Sequence, residues 1–284
     1  MRRILIAGCG DLGSALGVSL AARGEQVFGL RRDPSHLPAA ITPVAGDLAT
    51  AGGLRAAPRD VDALVYTAAA GAFEDAAYRR AYVDGVRNVL AVLDRDRLQR
   101  IVFVSSTGVY GQDDGAWVDE DSATVPAGFS GRRLLEGEAL VAAAGVSGVS
   151  VRFGGIYGPG RGQLIAQVRA GAGCGDAPVL WTNRIHRDDC VGVLGHLVHL
   201  SAPRPVYVGV DCEPAPQCAV MDYLAARLGA PPPPRGGAGT RRRGGNKRCS
   251  NRRLLESGYR FIYPSYRDGY ARELAAAGLA GSEA

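Results

Sequence analysis

The chain has 284 residues, enough for one large α/β domain or for one domain plus a small lobe. Its residues are 46% hydrophobic and 21% charged, a balance typical of a soluble globular protein. No apolar run approaches the ~20 residues that cross a bilayer, so we expect no membrane partner. The formal net charge is +5, with arginine concentrated between residues 241 and 253. Because no aromatic residues accompany this basic stretch, we expect no nucleic-acid partner.

The first 32 residues predict a strand, a glycine turn, a helix and a second strand. The apolar stretch RILIA (3–7) is read as a buried strand rather than a signal peptide, because it is short and ends in the turn GCGDLG. Helical periodicity follows up to Gly24, and QVFGLRR is the next strand. In this setting GxGxxG predicts a dinucleotide site, with glycines for the tight turn, the close approach to the diphosphate and the helix packing. The alternative is a turn that only serves packing. We assign the cofactor turn to Gly8, Gly10, Asp11, Leu12 and Gly13.

The second strand ends in Arg31 and Arg32, where an NAD-selective site normally has Asp or Glu to hold the ribose hydroxyls. Arginine instead offers a fork of donors that suits a 2′-phosphate. The pair therefore favours NADP(H) over NAD(H). The alternative is a solvated pair at a strand end.

Strand and helix patterns alternate further along the chain. A third strand precedes GDL, a fourth ends in TAAAG, residues 79–96 have helical periodicity, and RIVFVSST is a fifth strand. Repeated β–α units predict an α/β fold, a Rossmann-type doubly wound parallel sheet that binds ligands beyond the carboxyl ends of its strands. We place an NADP-binding domain at 1–155 and a small C-terminal substrate lobe, interleaved with the sheet, at 156–284. The residues expected to edge the cofactor pocket are Asp47, Leu48, Thr67, Ala68 and Ala69.

The chain has six cysteines, five of them after residue 170. None belongs to a CxxC pair, and the four histidines do not cluster near them, so we expect reduced thiols, no metal and a cytoplasmic location. The Pro-, Gly- and Arg-rich stretch 230–248 is predicted to be a mobile loop. The cysteines stand at 9, 174, 190, 212, 218 and 249.

The order of the motifs resembles the extended short-chain dehydrogenase/reductase family, which contains nucleotide-sugar epimerases and dehydratases. The matching stretches are GCGDLG, GDL, TAAA, VDGVRNVL, FVSSTGVYG, VRFGGIYGPG and IHRDD, and the tail from 246 looks like the family's closing segment. Within the family the chain is most similar to an atypical bacterial subgroup. The resemblance implies a nicotinamide cofactor and a small-molecule substrate.

The family's chemistry uses a Ser or Thr, a Tyr, and a Lys four residues after the Tyr. The resemblance places the first hydroxyl at Ser106, with Thr107 as an adjacent substrate contact; the alternative for Ser106 is a strand-end hydroxyl that bonds backbone groups. In FSGRRLLEGEALV the tyrosine position falls on Ser130 and the lysine position on Leu134. No shift of the alignment supplies a lysine, because the only lysine of the chain is Lys247. A Tyr–Lys pair of the usual kind is therefore absent.

Other residues are candidates for the missing proton donor and for substrate contacts. The family's helix asparagine falls on Tyr82, which is either a catalytic acid or an ordinary core tyrosine. His186 starts a helix beside two aspartates and is either an acid–base group or part of a capping and ion-pair arrangement. The resemblance places Gly154 and Gly155 beside the nicotinamide and makes Tyr157, Arg184 and His186 substrate contacts.

Two functional hypotheses follow. The first is an NADP(H)-dependent oxidoreductase or epimerase-like enzyme that acts on a carbonyl, an imine or a nucleotide-sugar-like small molecule. The second is a binding protein without catalysis, which senses NADP(H) or serves as a scaffold, and which the missing Tyr–Lys pair supports. A helix-paired homodimer is the oligomer that the resemblance implies.

Overall fold

The computed structural model of the chain describes residues 1–236 and 245–279, so the predicted loop at 230–248 lies partly outside the described residues. No helix within the described ranges is long and apolar enough to cross a membrane. The strands are β1 (Arg3–Ala7), β2 (Gln26–Arg31), β3 (Thr42–Ala45), β4 (Ala63–Tyr66), β5 (Arg100–Ser106), β6 (Trp117–Val118), β7 (Ser147–Phe153), β8 (Gly155–Tyr157), β9 (Trp181–Thr182), β10 (Arg184–His186), β11 (Val206–Gly209), β12 (Ala215–Pro216) and β13 (Arg248–Cys249). The helices are α1 (Asp11–Ala21), α2 (Asp75–Arg79), α3 (Gly85–Val92), α4 (Phe129–Ala142), α5 (Gln163–Arg169), α6 (Arg187–His199), α7 (Gln217–Arg227), α8 (Arg252–Glu256) and α9 (Tyr266–Ala276).

The central sheet has seven strands in the order β11-β7-β5-β4-β1-β2-β3. β1 pairs in parallel with β2 on one side and with β4 on the other, where Ile4 lies opposite Val27 and Ala63. This parallel α/β sheet with flanking helices confirms the predicted fold class. β1 is connected to β2 through α1, and because β1, β2, β3 and β4 run in parallel, their carboxyl ends lie at one edge of the sheet.

The first β–α unit forms where the sequence predicted it. β1 is buried along almost its whole length, as expected for a central strand of a parallel sheet covered on both faces. α1 buries the stripe Gly13, Leu16, Gly17 and Leu20, whose spacing of three or four residues places them on one helical face. The interpretation of the chain start as a buried strand is confirmed.

The helix predicted at 79–96 is interrupted by a π-helical segment, Arg80–Asp84, between α2 and α3. The N–H of Gly85 donates to the carbonyl of Arg80, five residues earlier, instead of closing an α-helical turn. The Tyr66 hydroxyl donates to the carbonyl of Ala81 and fills the space that a Cβ at Gly85 would need. The buried Tyr66 hydroxyl of β4 therefore bonds to the helix where its hydrogen-bond pattern changes from α to π. Hydrophobic periodicity does not reveal this change.

Two compact units make up the chain, and each consists of several segments. The first unit contains most of the sheet, and its segments are Met1–Val109, Val125–Arg152 and Val191–Tyr207. The second unit has a core that includes Tyr157, Val220, Leu224 and Leu274. Its segments are Tyr110–Thr124, Phe153–Cys190 and Val208–Ala284, of which 237–244 and 280–284 are outside the described residues.

The second unit contains a disulfide between Cys174 and Cys218, so the prediction of reduced thiols is wrong for these two residues. Their Cα atoms are 5.5 Å apart, within the range of disulfides, although 44 residues separate them in sequence. The sequence showed no pairing pattern, because the pairing depends on the approach of the loop before Gly175 to the first turn of α7. The other four cysteines, Cys9, Cys190, Cys212 and Cys249, are free.

Candidate cofactor and active site

The glycine turn after β1 is shaped for a diphosphate. Gly8 has a φ of +83°, and a side chain there would collide with the backbone of Ala68. The N–H groups of Gly8 and Cys9 donate to the carbonyl of Leu30 at 3.0 and 2.9 Å, which ties the turn to the end of β2. Gly10 precedes α1, and a Cβ there would meet nothing closer than 3.9 Å. The turn is held in place while its outer side stays open.

The first turn of α1 offers donors to an anion. Within the described residues no side chain caps this helix, so its first N–H groups and the positive end of its dipole face the open side of Gly10. Gly13 packs closely, since a Cβ there would lie 2.9 Å from Oγ1 of Thr67. Thr67 in turn donates to the carbonyl of Gly8 at 3.0 Å. Thr67 therefore holds the turn, and Asp11, Leu12 and Gly13 belong to the helix start beside it.

A cleft of about 780 Å³ lies in the first unit, at the carboxyl ends of β1, β2, β3 and β4. Eight of the predicted cofactor residues line it, namely Gly8, Gly10, Arg31, Arg32, Asp47, Leu48, Ala68 and Ala69. The lining also includes residues that the sequence analysis did not single out, among them Asp33, Tyr66, Ala77 and Arg80. The open Gly10, the uncapped helix and the arginines fit a dinucleotide with its diphosphate at the turn.

The aspartates of the cleft accept hydrogen bonds from neighbouring residues, whereas Arg31 makes a long bond to a backbone carbonyl. Oδ1 of Asp33 accepts from the backbone N–H and the hydroxyl of Ser35 at 3.0 and 2.6 Å, and these bonds hold the pKa of Asp33 below its usual value. Oδ1 of Asp47 accepts from the N–H of Ala49 at 2.9 Å. Arg31 donates to the carbonyl of Cys9 at 3.3 Å, and no salt bridge to Arg31 is found among the described residues.

Ser106 ends β5 at the same edge of the sheet. Its Oγ accepts a hydrogen bond from the N–H of Gly108 at 3.1 Å, so the backbone contact proposed as the alternative is present. Because Oγ is the acceptor in this bond, its proton can be donated to a ligand. Thr107 starts the short 3-10 turn that follows. Ser105, by contrast, faces inward and donates at 2.5 Å to Glu138.

Helix α4 carries the positions of the family's Tyr–Lys pair. Ser130 is half-buried in its first turn, whereas Leu134 is only 5% exposed. Arg133, the residue that a one-position shift would supply, donates to both carboxylate oxygens of Asp75 at 2.8 Å and also pairs with Glu136. Neither position 133 nor position 134 therefore presents an unpaired cation to a ribose.

The sole lysine belongs to the second unit. Lys247 is 2% exposed, and its ammonium group donates to the carbonyl of Tyr110 at 3.1 Å. Burial lowers the pKa of this lysine. Its backbone is also fixed, because the side-chain amide of Asn183 donates to the Lys247 carbonyl at 2.9 Å. Lys247 thus stabilises the 110–115 loop of this unit.

Tyr82 lies in the π-helical segment and is half-buried. Its ring is 5.3 Å from that of Tyr78 and meets Phe103 edge-on at 6.4 Å. Burial raises the pKa of Tyr82, and the nearby backbone N–H of Ala70 opposes this shift. The phenol is therefore protonated at neutral pH, beside the small-residue loop that follows β4. Its catalytic role stays a prediction.

The second unit contains two residues predicted to lie beside the nicotinamide, Gly154 and Gly155, and buried residues predicted to contact the substrate, among them Tyr157 and Arg184. Gly154 donates to the carbonyl of Gly209 at 3.0 Å, and Gly155 pairs with Arg184 across β8 and β10. Tyr157 packs directly over Gly269 of α9, where a Cβ would displace its hydroxyl. Arg184 donates to the hydroxyl of Thr182 at 2.5 Å. Contact with the nicotinamide stays a prediction for Gly154 and Gly155, and contact with the substrate stays one for Tyr157 and Arg184.

His186 is 1% exposed, and both of its ring nitrogens are engaged. Nδ1 accepts from the N–H of Asp188 at 3.1 Å, which leaves Nε2 to donate to Glu273 at 3.2 Å. The neighbouring Asp189 accepts from the N–H groups of Ile262 and Tyr263 at 2.8 and 3.0 Å. The structure thus has the capping and ion-pair arrangement at the start of α6 that the sequence analysis offered as the alternative for His186.

Comparison with known proteins gives consistent matches along the chain. The family model described as NAD dependent epimerase/dehydratase matches residues 4–193. Protein YeeZ of Escherichia coli K12 is 33% identical over 228 residues, which cover 76% of this chain and 79% of YeeZ. A 3-diazoavenalumate denitrifying reductase from Streptomyces sp is 31% identical over 306 residues, covering 95% of this chain and all of the reductase.

Solved structures share the fold. A protein from Methylobacillus flagellatus, described as a candidate NAD-dependent epimerase/dehydratase, is 39% identical with a TM-score of 0.82, over 98% of this chain and 99% of that one. Two more distant structures have the same fold: WbmG of Bordetella bronchiseptica with NAD (20% identity, TM-score 0.81, 96% of this chain and 93% of that one) and human SDR39U1 with NADPH (21%, 0.78, 96% and 99%). The family match and the cleft together support a nicotinamide dinucleotide as the cofactor.

Proposed function

Because the chain belongs to the NAD-dependent epimerase/dehydratase family, we propose that it is an NADP(H)-dependent reductase of a small molecule with a carbonyl or imine group. The observation that carries this proposal is the pairing, at one edge of one sheet, of an open dinucleotide cleft with a serine whose hydroxyl proton is available. The reductase from Streptomyces supports the direction of the reaction, since it is named for reduction of a nitrogen compound.

The residues of the cleft have distinct roles in holding the cofactor. The turn from Gly8 to Gly13 takes the diphosphate on backbone N–H groups, and Arg31 and Arg32 take the 2′-phosphate. When bound, the nicotinamide supplies or accepts the hydride. The protein then has to orient the substrate and move one proton.

Ser106 donates a hydrogen bond to a substrate carbonyl oxygen, or to the nitrogen of an unprotonated imine, and so stabilises the negative charge that develops there. With a protonated imine, whose nitrogen has no free lone pair, the Ser106 hydroxyl oxygen instead accepts from the imine N–H. The proton that completes the reduction comes from Tyr82, from water or from the substrate itself. A protonated imine suits this site especially well, because it brings its own proton and depends less on a phenol. The absence of a lysine partner, with Leu134 buried in its place, favours such a substrate.

A second candidate function is a dinucleotide-binding protein without catalysis. The salt bridges of Arg133 with Asp75 and Glu136 favour this second function. They hold the cation that could otherwise lower the pKa of a proton donor in salt bridges on the helix surface. The two candidates differ in turnover and not in cofactor binding.

The test measures binding and turnover separately. Calorimetry should detect NADPH binding and weaker NADH binding by the full chain. Incubation with NADPH and a panel of ketones, imines and nucleotide sugars should then show loss of the reduced-nicotinamide absorbance with at least one imine or ketone. Ser106→Ala should lower kcat by about 10²-fold with little change in NADPH affinity. Tight NADPH binding without turnover of any compound would favour the second candidate, and absence of binding would refute both.

A further inference from the structure

The π-helical segment between α2 and α3 brings one arginine into the cofactor cleft. Ala77, Arg80 and Ala81 line the cleft, at a spacing of three and four residues that corresponds to one helical face. The neighbouring Arg79 does not line it, and its guanidinium faces Asp84 at 3.8 Å. Two adjacent arginines of the same helix thus have different surroundings.

The backbone at this arginine is fixed by packing on several sides, whereas the residue itself is exposed. The carbonyl of Arg80 accepts from Gly85, and the carbonyl of Ala81 accepts from the Tyr66 hydroxyl. On the side of α4, Gly137 is so close to the carbonyl of Tyr82 that a side chain there would have to displace it. Ala77 and Ala81, which line the cleft together with Arg80, carry only methyl side chains. The backbone that carries Arg80 is therefore held by β4 and α4.

Within the part of the chain that the structure describes, no carboxylate pairs with Arg80. Among residues 1–236 and 245–279, neither Arg80 nor Arg32 has a hydrogen bond or salt bridge from its side chain, and Arg31 has only its bond to the Cys9 carbonyl. The carboxylates that line the same cleft, Asp33 and Asp47, already accept bonds within their own turns. The lining of the cleft therefore has three guanidinium groups and two carboxylates, each of which already accepts a hydrogen bond through its Oδ1.

This balance is unfavourable for a ribose with two free hydroxyls and favourable for a ribose phosphate. An NAD-selective site needs a carboxylate at the end of β2 as an acceptor for the hydroxyls. Asp33, two residues after the end of β2, is the nearest carboxylate in sequence; its Oδ1 already accepts both bonds from Ser35, so Oδ2 is the oxygen that would remain for a ribose hydroxyl. A phosphate, in contrast, uses guanidinium groups from several directions.

We propose that Arg80 is a specificity-determining residue that binds the 2′-phosphate of NADP(H) together with Arg31 and Arg32. This inference rests on the proposed function, because it presupposes that NADP(H) is the preferred cofactor. In this proposal Arg80, from the helix after β4, provides a third guanidinium contact to the 2′-phosphate, in addition to those of the two arginines at the end of β2.

The experiment compares Arg80→Gln with the matched control Arg79→Gln in the full chain. Calorimetry gives the Kd for NADPH, for NADH and for adenosine 2′,5′-bisphosphate, which carries the 2′-phosphate without the diphosphate. We expect Arg80→Gln to weaken NADPH and the bisphosphate by about tenfold or more, with NADH unchanged within about twofold. Arg79→Gln should leave all three ligands unchanged. Arg80→Lys should recover part of the loss, because it keeps the charge without the fork.

The outcomes separate this inference from the proposed function. If wild-type protein binds NADH as tightly as NADPH, the proposed cofactor preference fails, and the role of Arg80 fails with it. If the wild type prefers NADPH but Arg80→Gln weakens NADPH and NADH equally, Arg80 contacts a part that both share, and the 2′-phosphate assignment is wrong. Unchanged NADPH affinity in Arg80→Gln overturns it as well. Circular dichroism of each variant checks that the helix is retained.

Discussion

Replacing Asp211 by Asn should remove a large pH dependence from the stability of the second unit. Asp211 is 1% exposed; its Oδ1 accepts from the N–H of Glu213 at 3.1 Å, and its Oδ2 has no partner within the described residues. Burial raises the pKa of this carboxyl to about 8, although the positive charge of Arg184 opposes the shift. The folded protein therefore keeps a proton on Asp211 that the unfolded chain loses above pH ~4.

The sign and size of the effect follow from this difference. Between pH ~4 and the folded pKa of about 8, the unfolded state binds fewer protons, so the free energy of unfolding decreases as pH rises. The decrease is at most ~1.4 kcal/mol per pH unit, which amounts to about 4 kcal/mol between pH 5 and pH 8. Above the folded pKa the contribution no longer changes. Asparagine has no proton to lose and fills the same space.

Urea denaturation at pH 5, 6, 7 and 8 measures the difference in the free energy of unfolding between the wild type and Asp211→Asn. These pH values lie about one to four units above the usual carboxyl pKa. We expect the variant to gain stability relative to the wild type at each step, with the two most alike at pH 5. Asp176→Asn, at an exposed aspartate of the same unit, is the control and should follow the wild type. Parallel curves for Asp211→Asn and the wild type would refute the assignment of a buried protonated carboxyl.

Three further changes test other parts of the structure. Gly8→Ala should reduce NADPH affinity by more than tenfold in calorimetry, because the new methyl group collides with the Ala68 backbone, and retention of affinity would contradict the proposed turn. Cys218→Ser should lower the free energy of unfolding by up to about 4 kcal/mol, since the disulfide closes a loop of 44 residues, and added reductant should destabilise the wild type but not this variant. Arg152→Met should lower the free energy of unfolding by about 3–5 kcal/mol in urea denaturation, because it removes the guanidinium that pairs with buried Glu138. Of the partners described for this carboxylate, the Ser105 hydroxyl at 2.5 Å would then remain. A loss below ~1 kcal/mol would show that the ion pair contributes little.

The parts of the molecule that depend on local pattern could be predicted from the sequence. The glycine turn, the strand ends and the arginines at 31 and 32 follow from strand–helix periodicity and from the conformations that glycine allows. The π-helical segment could not be predicted, because one extra residue per turn leaves no mark in composition, and Arg80 was missed with it. One signal was available: Gly85 stands within a predicted helix, where glycine is unfavourable unless a neighbour needs the space. The Cys174–Cys218 pairing and the fixed tautomer of His186 depend on contacts between distant segments.

The burial of Lys247 makes the chain its own reporter of conformational opening. A protease that cleaves only after lysine has a single target bond in 284 residues, and that bond lies between a residue whose carbonyl is held by Asn183 and one whose N–H is held by Ala116. Digestion can therefore proceed only as fast as this segment detaches from its neighbours. The rate at which two fragments accumulate would measure how often the second unit opens, without any engineered label.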